Sequence, residues 1–215
     1  MSTEEDCVLT LQQWLSPGFP VGAFAYSHGL EQVIEARGIA DAADLGDWLS
    51  ALVAHGSGRA DVVLLAAAWR ATPDSLPGID AAARAFAASS ERLLETTAQG
   101  EAFARTLDSM TGRQTEPFAY PVAVGHAAAL HDLPLGLTAR MYLHAFAANL
   151  VSAAVRRVPL GQTEGQMVLA GLAPLIRAVA QEAIASDPDD LASHCFAADI
   201  AAMHHETMYS RVFRT

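Results

Sequence analysis

Residues 41–71 read DAADLGDWLSALVAHGSGRADVVLLAAAWRA, and this stretch decides the fold class. Leu45, Trp48, Leu49, Leu52 and Val53 recur at the three- and four-residue spacing that gathers apolar side chains on one face of an α-helix. Asp41 stands just ahead of them, where a short acidic side chain accepts hydrogen bonds from the first unpaired backbone N–H groups. Gly56-Ser57-Gly58 breaks the pattern, and Arg59 to Ala71 follows as a second helix, apolar nearly all round and therefore buried. No alternation of β-branched residues competes with this reading.

Outward from this pair the chain keeps the same character. Val8 to Leu15 predicts a short first helix, stopped at Ser16-Pro17-Gly18. A loop with Pro17, Gly18, Pro20 and Gly22 leads to a helix from about Ala25 to Gly38. Beyond Ala71, Thr72 to Gly78 is a surface loop, Ile79 to Thr111 one or two helices, and Gly112 to Pro121 a second loop. Val122–His131, Leu135–Val158 and Thr163–Ser186 predict three more helices, the last kinked at Pro174. Asp187-Pro188-Asp189-Asp190 is a turn, and Leu191 to Tyr209 the closing helix. The expected fold is all-α: one domain over residues 1–215, a bundle of roughly eight to ten helices, with flexible ends at 1–6 and about 208–215.

Composition limits what such a bundle does. Of 215 residues, 52% are hydrophobic and 17% charged, enough apolar side chain for one large core. Acids outnumber bases 24 to 13, and a net charge of −11 opposes binding to nucleic acid, whose affinity rests on neutralised phosphates. All 13 basic residues are arginine, so lysine Schiff-base chemistry and a P-loop lysine are excluded. Cys7 and Cys195 are far apart in sequence and in no CxxC pattern, as expected in a reducing compartment. Residues 1–6 are acidic, unlike a signal peptide. Ala139–Val155, carrying Arg140, His144, Asn149 and Ser152, is too short and polar to cross a bilayer. A soluble cytoplasmic protein without membrane contact is expected.

No GxGxxG, Walker loop, GxSxG or HExxH occurs. His204-His205-Glu206 suggests a metal or an acid–base pair, but neighbouring helix positions point about 100° apart. His194 lies a few turns earlier, and His126 and His131 are five apart, off the i, i+4 face. Three stretches stand out instead. The first, SPGFPVGAFAYSHGLE over 16–31, combines prolines, glycines and aromatics in a rigid loop. Phe19 and Phe24 suit the core or a contact. Pro20 stiffens the loop, Gly22 and Gly29 allow close backbone approach, and Tyr26, Ser27, His28 and Glu31 form a polar contact side. In the second, NLVSAAVRRVPLGQTEGQ over 149–166, Asn149, Ser152 and Arg156 make a polar stripe on an apolar helix. Thr163 to Gln166 fits a capping box, with Gln162 and Gln166 presenting two amides. The stripe serves either an internal network or a dimer or partner interface. The third, HHETMYSRVFRT over 204–215, sets His205, Glu206, Tyr209, Arg211, Phe213 and Arg214 at the end of an acidic chain, a composition that suits an interface anchor.

Together, in this order and spacing, the three stretches resemble the UreF family of urease accessory proteins over essentially the whole chain. Tyr120, where many relatives have histidine before Pro121, and the loosely matching stretch Glu91–Phe103 depart from the pattern. The resemblance implies an all-α, dimeric scaffold without catalysis of its own. It implies that the chain joins UreD (UreH in some organisms), recruits the GTPase UreG, and serves nickel insertion into the urease apoprotein, gating GTP hydrolysis. Nickel and GTP are then handled by the partner complex, with no cofactor on this chain alone. The C-terminal segment from His205 to Arg214 is expected to order on UreD. Tyr26, Ser27, Glu31, Arg156, Gln162 and Gln166 are expected at a polar surface or channel rim. The alternatives are an all-α enzyme or a direct nickel carrier using His204, His205 and Glu206.

Overall fold

The computed structural model describes residues 3–214, apart from the side chain of Asp190; of the ends expected to be flexible, Met1, Ser2 and Thr215 lie outside the described residues. Among the described residues there are ten α-helices and no strand. In chain order the helices are α1 (Glu4–Trp14), α2 (Leu30–Glu35), α3 (Ala42–His55), α4 (Ser57–Arg70), α5 (Leu76–Ala85), α6 (Ser90–Thr111), α7 (Tyr120–Leu130), α8 (Leu135–Val155), α9 (Gln162–Ala183) and α10 (Phe196–His205). The helical pair read at 41–71 is the centre of the bundle. Asp41 accepts from the N–H groups of Ala43 and Asp44, as its position requires. α4 is buried nearly all round and packs against α7, α3, α8 and α9. The one stretch among the described residues long and apolar enough to cross a membrane, Ala42–Arg70, is this pair, mostly buried inside the bundle.

Several bounds differ from the sequence reading: α5 and α7 start inside the loops expected at 72–78 and 112–121, α8 ends at Val155 rather than Val158, and the closing helix ends at His205 rather than Tyr209. Four further differences have a local reason. α1 starts at Glu4 rather than Val8, because Thr3 and Asp6 cap it reciprocally. The helix expected over 25–38 is split. A 3-10 turn at Ala23–Ala25 precedes extended Tyr26, and His28 (φ 54°) and Gly29 (φ 77°) are both left-handed, which no α-helix accommodates. α9 is capped by Glu164 accepting from the Gly161 N–H at 2.8 Å, not by a box from Thr163 to Gln166. The closing helix starts only at Phe196. Residues before it instead satisfy the end of α3, His194 N–H donating to the His55 carbonyl at 2.9 Å.

α2, the start of α6, α10 and the C-terminal segment gather at one end of the bundle. Gly29 makes this possible: a Cβ there would lie 2.6 Å from the backbone nitrogen of Ala202 on α10. Gly22, also left-handed at φ 75°, has nothing within 4 Å of that position. Of the two glycines expected to admit a backbone, only Gly29 does so.

Candidate functional site

The three unusual stretches meet at this end. Glu31, the last residue of the first stretch, is 1% exposed. Its carboxylate accepts the backbone N–H groups of Val212 (2.9 and 3.1 Å) and Phe213 (2.9 Å), from the third. His205 Nε2 lies 3.3 Å from the same carboxylate, and Arg157 of the second stretch 3.5 Å away. Burial works to raise the Glu31 pKa; the Phe213 and Val212 N–H groups, His205 and Arg157 override it and hold the carboxyl below its ordinary value.

The ring of His205 is fully buried. Its Nδ1 lies 2.7 Å from Glu91, whose other oxygen pairs with Arg211. Glu206 accepts from Ser90 Oγ at 2.7 Å and from the Glu91 N–H at 3.2 Å, and these bonds, the Ser90 hydroxyl foremost, lower its pKa. The last turns are closed by Arg214 N–H donating to the Ala25 carbonyl at 2.7 Å and by the Arg156 guanidinium, 4.7 Å from the centroid of buried Phe213. Arg156 also donates to the carbonyls of Phe24 (3.1 Å) and Ser152 (3.0 Å), and Asn149 to that of Tyr26 (3.4 Å). Of the stripe, Asn149 and Arg156 thus tie the loop and the tail to α8, while the Ser152 side chain is exposed. The segment expected to order on a partner lies against its own chain.

Tyr26, Ser27, His28 and Glu31 are buried rather than on a polar surface. Ser27 Oγ accepts the Glu31 N–H at 3.3 Å, starting α2 after two left-handed residues. Pro20, Gln162 and Gln166 are exposed, Gly22 is half-buried, and the two glutamines sit at the start of α9. Phe19 fills the core against Phe103, ring centroids 5.5 Å apart, whereas Phe24 is exposed.

Sequence reasoning missed a second buried polar cluster. His28 Nε2 lies 2.9 Å from Glu95, which also pairs with Arg92 and accepts from Gln99 at 3.0 Å. Burial alone would raise the Glu95 pKa, but the charges of Arg92 and His28 and their hydrogen bonds bring it down to about 2. Nearby Asp61 accepts from the Tyr142 hydroxyl at 2.9 Å, and burial raises its pKa. This cluster forms the floor of a cavity of about 510 Å³ walled by the 15–28 loop, α8 and α9. His28, Asn149 and Ser152 line it; Tyr26, Ser27, Glu31, Arg156, Gln162 and Gln166 do not. The signal lay in Glu91, Arg92, Glu95 and Gln99, whose three- and four-residue spacing puts charge on one face of α6.

Nor do His204, His205 and Glu206 converge: His204 is exposed, His205 turns inward, and Glu206 caps Ser90. Among the described residues no three of His, Cys, Asp and Glu gather as a metal-ligand set, since Glu31 and Glu91 face opposite nitrogens of one ring.

Known proteins match this sequence closely. The UreF family model matches residues 39–173. A urease accessory protein UreF of Roseobacter denitrificans is 60% identical over 215 residues, covering 100% of this chain and 96% of the relative. The chain belongs to the UreF family. Another UreF, from Ruegeria pomeroyi, is 50% identical over 98% of each chain, and that of Bradyrhizobium diazoefficiens 45% identical over 99% of this chain and 93% of its own. The UreF model contains the whole second stretch, 149–166, while the first and third are spanned by the relatives that match over the full chain.

Proposed function

We propose that this chain is a non-catalytic, cytoplasmic scaffold of urease maturation. It works as a homodimer, binds UreD (UreH), recruits the GTPase UreG and so serves nickel delivery to the urease apoprotein, gating GTP hydrolysis. It holds neither nickel nor GTP by itself; both are handled in the complex. The observation that carries this reading is the surface beside the clamped tail. Phe196, Ile200 and Met203 fall at i, i+4 and i+7 on α10 and are all exposed, next to exposed Tyr209 and Val212. Large apolar side chains left bare in a row on one helix mark a protein contact better than a solvated face. The Glu31, His205 and Arg156 contacts fix the tail beside this surface, and the assignment of UreD to it rests on membership of the UreF family.

The test is size-exclusion chromatography with light scattering on this chain alone and mixed with the UreD and UreG of its host. The expected result is a complex that needs UreD before it takes up UreG. Ile200→Asp, an exposed change, should leave the helical signal and melting unchanged and abolish that complex. Arg211→Ala should weaken it. A wild-type chain that stays alone in every mixture overturns the scaffold reading. A complex indifferent to Ile200→Asp moves the UreD contact off α10.

A further inference from the structure

Both ring nitrogens of His205 face carboxylates: Nδ1 is 2.7 Å from Glu91 and Nε2 3.3 Å from Glu31. A neutral imidazole has one donor and one acceptor, and an ionised carboxylate only accepts. Two such contacts therefore need one proton more than a neutral ring supplies; without it one nitrogen turns a lone pair on a carboxylate oxygen. The shorter bond, to Glu91, is the one a neutral ring keeps. The contact then lost is to Glu31, the carboxylate that grips the Val212 and Phe213 N–H groups. The other charged groups around the ring are accounted for. Arg157 lies against Glu31, Arg211 pairs with Glu91, and Glu206, on the ring's own segment, is bonded to Ser90 and the Glu91 N–H. The two arginines offset the two carboxylates, so the cluster is formally neutral without the additional proton and carries one positive charge with it, placed between the two glutamates that flank the ring.

We propose that the Glu31–His205–Glu91 relay carries this additional proton, taken up from solvent as the C-terminal segment closes, so that docking of residues 211–214 is proton-linked. Sequence places beside His205 only His204, which is exposed, and Glu206, which is bonded to Ser90 and the Glu91 N–H; the relay exists only because α2, α6 and α10 meet. Because the proton belongs to the chain's own tail, the inference holds or fails independently of whether UreD binds.

The full-length chain, ¹⁵N-labelled, tests it. Ring ¹⁵N shifts of His205 are followed from about pH 5 to 9 together with exchange of the Val212 and Phe213 amides, expressed as protection factors so that hydroxide catalysis is removed. A protonated relay gives two similarly shifted, proton-bearing environments at low pH. Protection of both amides then falls by up to about tenfold per pH unit over the range where the docked segment holds the proton and the undocked one does not, and levels off once the docked ring loses it. In Glu91→Gln the side-chain amide can donate to Nδ1, freeing a neutral ring to donate Nε2–H to Glu31; the pH dependence should vanish while protection persists. His205→Gln should also remove the dependence, at lower protection. A neutral ring throughout with constant wild-type protection overturns the proposal, as does an unchanged slope in Glu91→Gln.

Discussion

Replacing Gly29 by alanine tests whether α10 is seated by the close approach of two backbones. Two costs are separable. At φ 77° an L-residue pays for the left-handed conformation, about 1–2 kcal/mol. In addition the new Cβ would stand 2.6 Å from Ala202 N and 2.9 Å from Ala201 C, both main-chain atoms that yield only if the helix moves. Such overpacking costs about 1–3 kcal/mol. Gly22→Ala is the internal control, with the same backbone conformation at φ 75° and open space around the added methyl. We expect Gly22→Ala to lose about 1–2 kcal/mol and Gly29→Ala about 2–5 kcal/mol, in urea unfolding followed by helical circular dichroism. In a chain of this size each kcal/mol lowers the melting temperature by about 2–4 °C. The displaced helix should also reduce the protection of the Val212 and Phe213 amides, because His205 and the tail move with α10. Equal losses for the two variants, or a larger one at Gly22, refute the reasoning that backbone contact rather than conformation makes Gly29 necessary.

Two other perturbations address the buried charges. Glu95 has a folded pKa of about 2, below its ordinary value, so its stabilisation is present above the ordinary carboxylate pKa and is lost as pH falls towards 2; an acid titration by circular dichroism should show this loss, and Glu95→Gln should flatten it. At neutral pH the same variant leaves Arg92 buried without its anion and should cost about 3–5 kcal/mol in urea unfolding. Tyr142→Phe removes the hydroxyl that donates to Asp61 and should cost about 1–3 kcal/mol by the same measurement, with a hydrophobic side chain of nearly equal shape left in place.

The parts of the fold that were legible in sequence are those whose physics is local. Asp41 ahead of an apolar stripe, or Gly56 between two helices, involves residues that meet their partners within one turn, so pattern alone locates them. The tail, the loop and α6 meet across more than a hundred residues of chain, as in Glu31 with Val212 or His205 with Glu91. Periodicity carries no trace of such pairings. The stretch from Ala25 to Gly38 failed for a related reason. Its composition is compatible with a helix, but His28 and Gly29 turn left-handed so that Gly29 can meet α10 and His28 can reach Glu95, two demands from elsewhere in the molecule.

Polarity misled in a more instructive way. Tyr26, Ser27 and Glu31 were assigned to a contact surface because polar side chains usually sit at one. Burial without a partner is what water-exposed groups avoid; burial with a full set of partners is a different state. Glu31 accepts two backbone N–H groups and faces an imidazole and a guanidinium, which is more than water would give it in a fixed direction. The consequence is that these polar groups bind within the chain. They hold in place an apolar face on α10 and a tail anchored by Phe213, while Phe196, Ile200, Met203, Tyr209 and Val212 are exposed, of which Tyr209 and Val212 lie inside the three stretches. A substitution in the clamp should therefore change docking together with tail protection, whereas one on the α10 face should change docking alone.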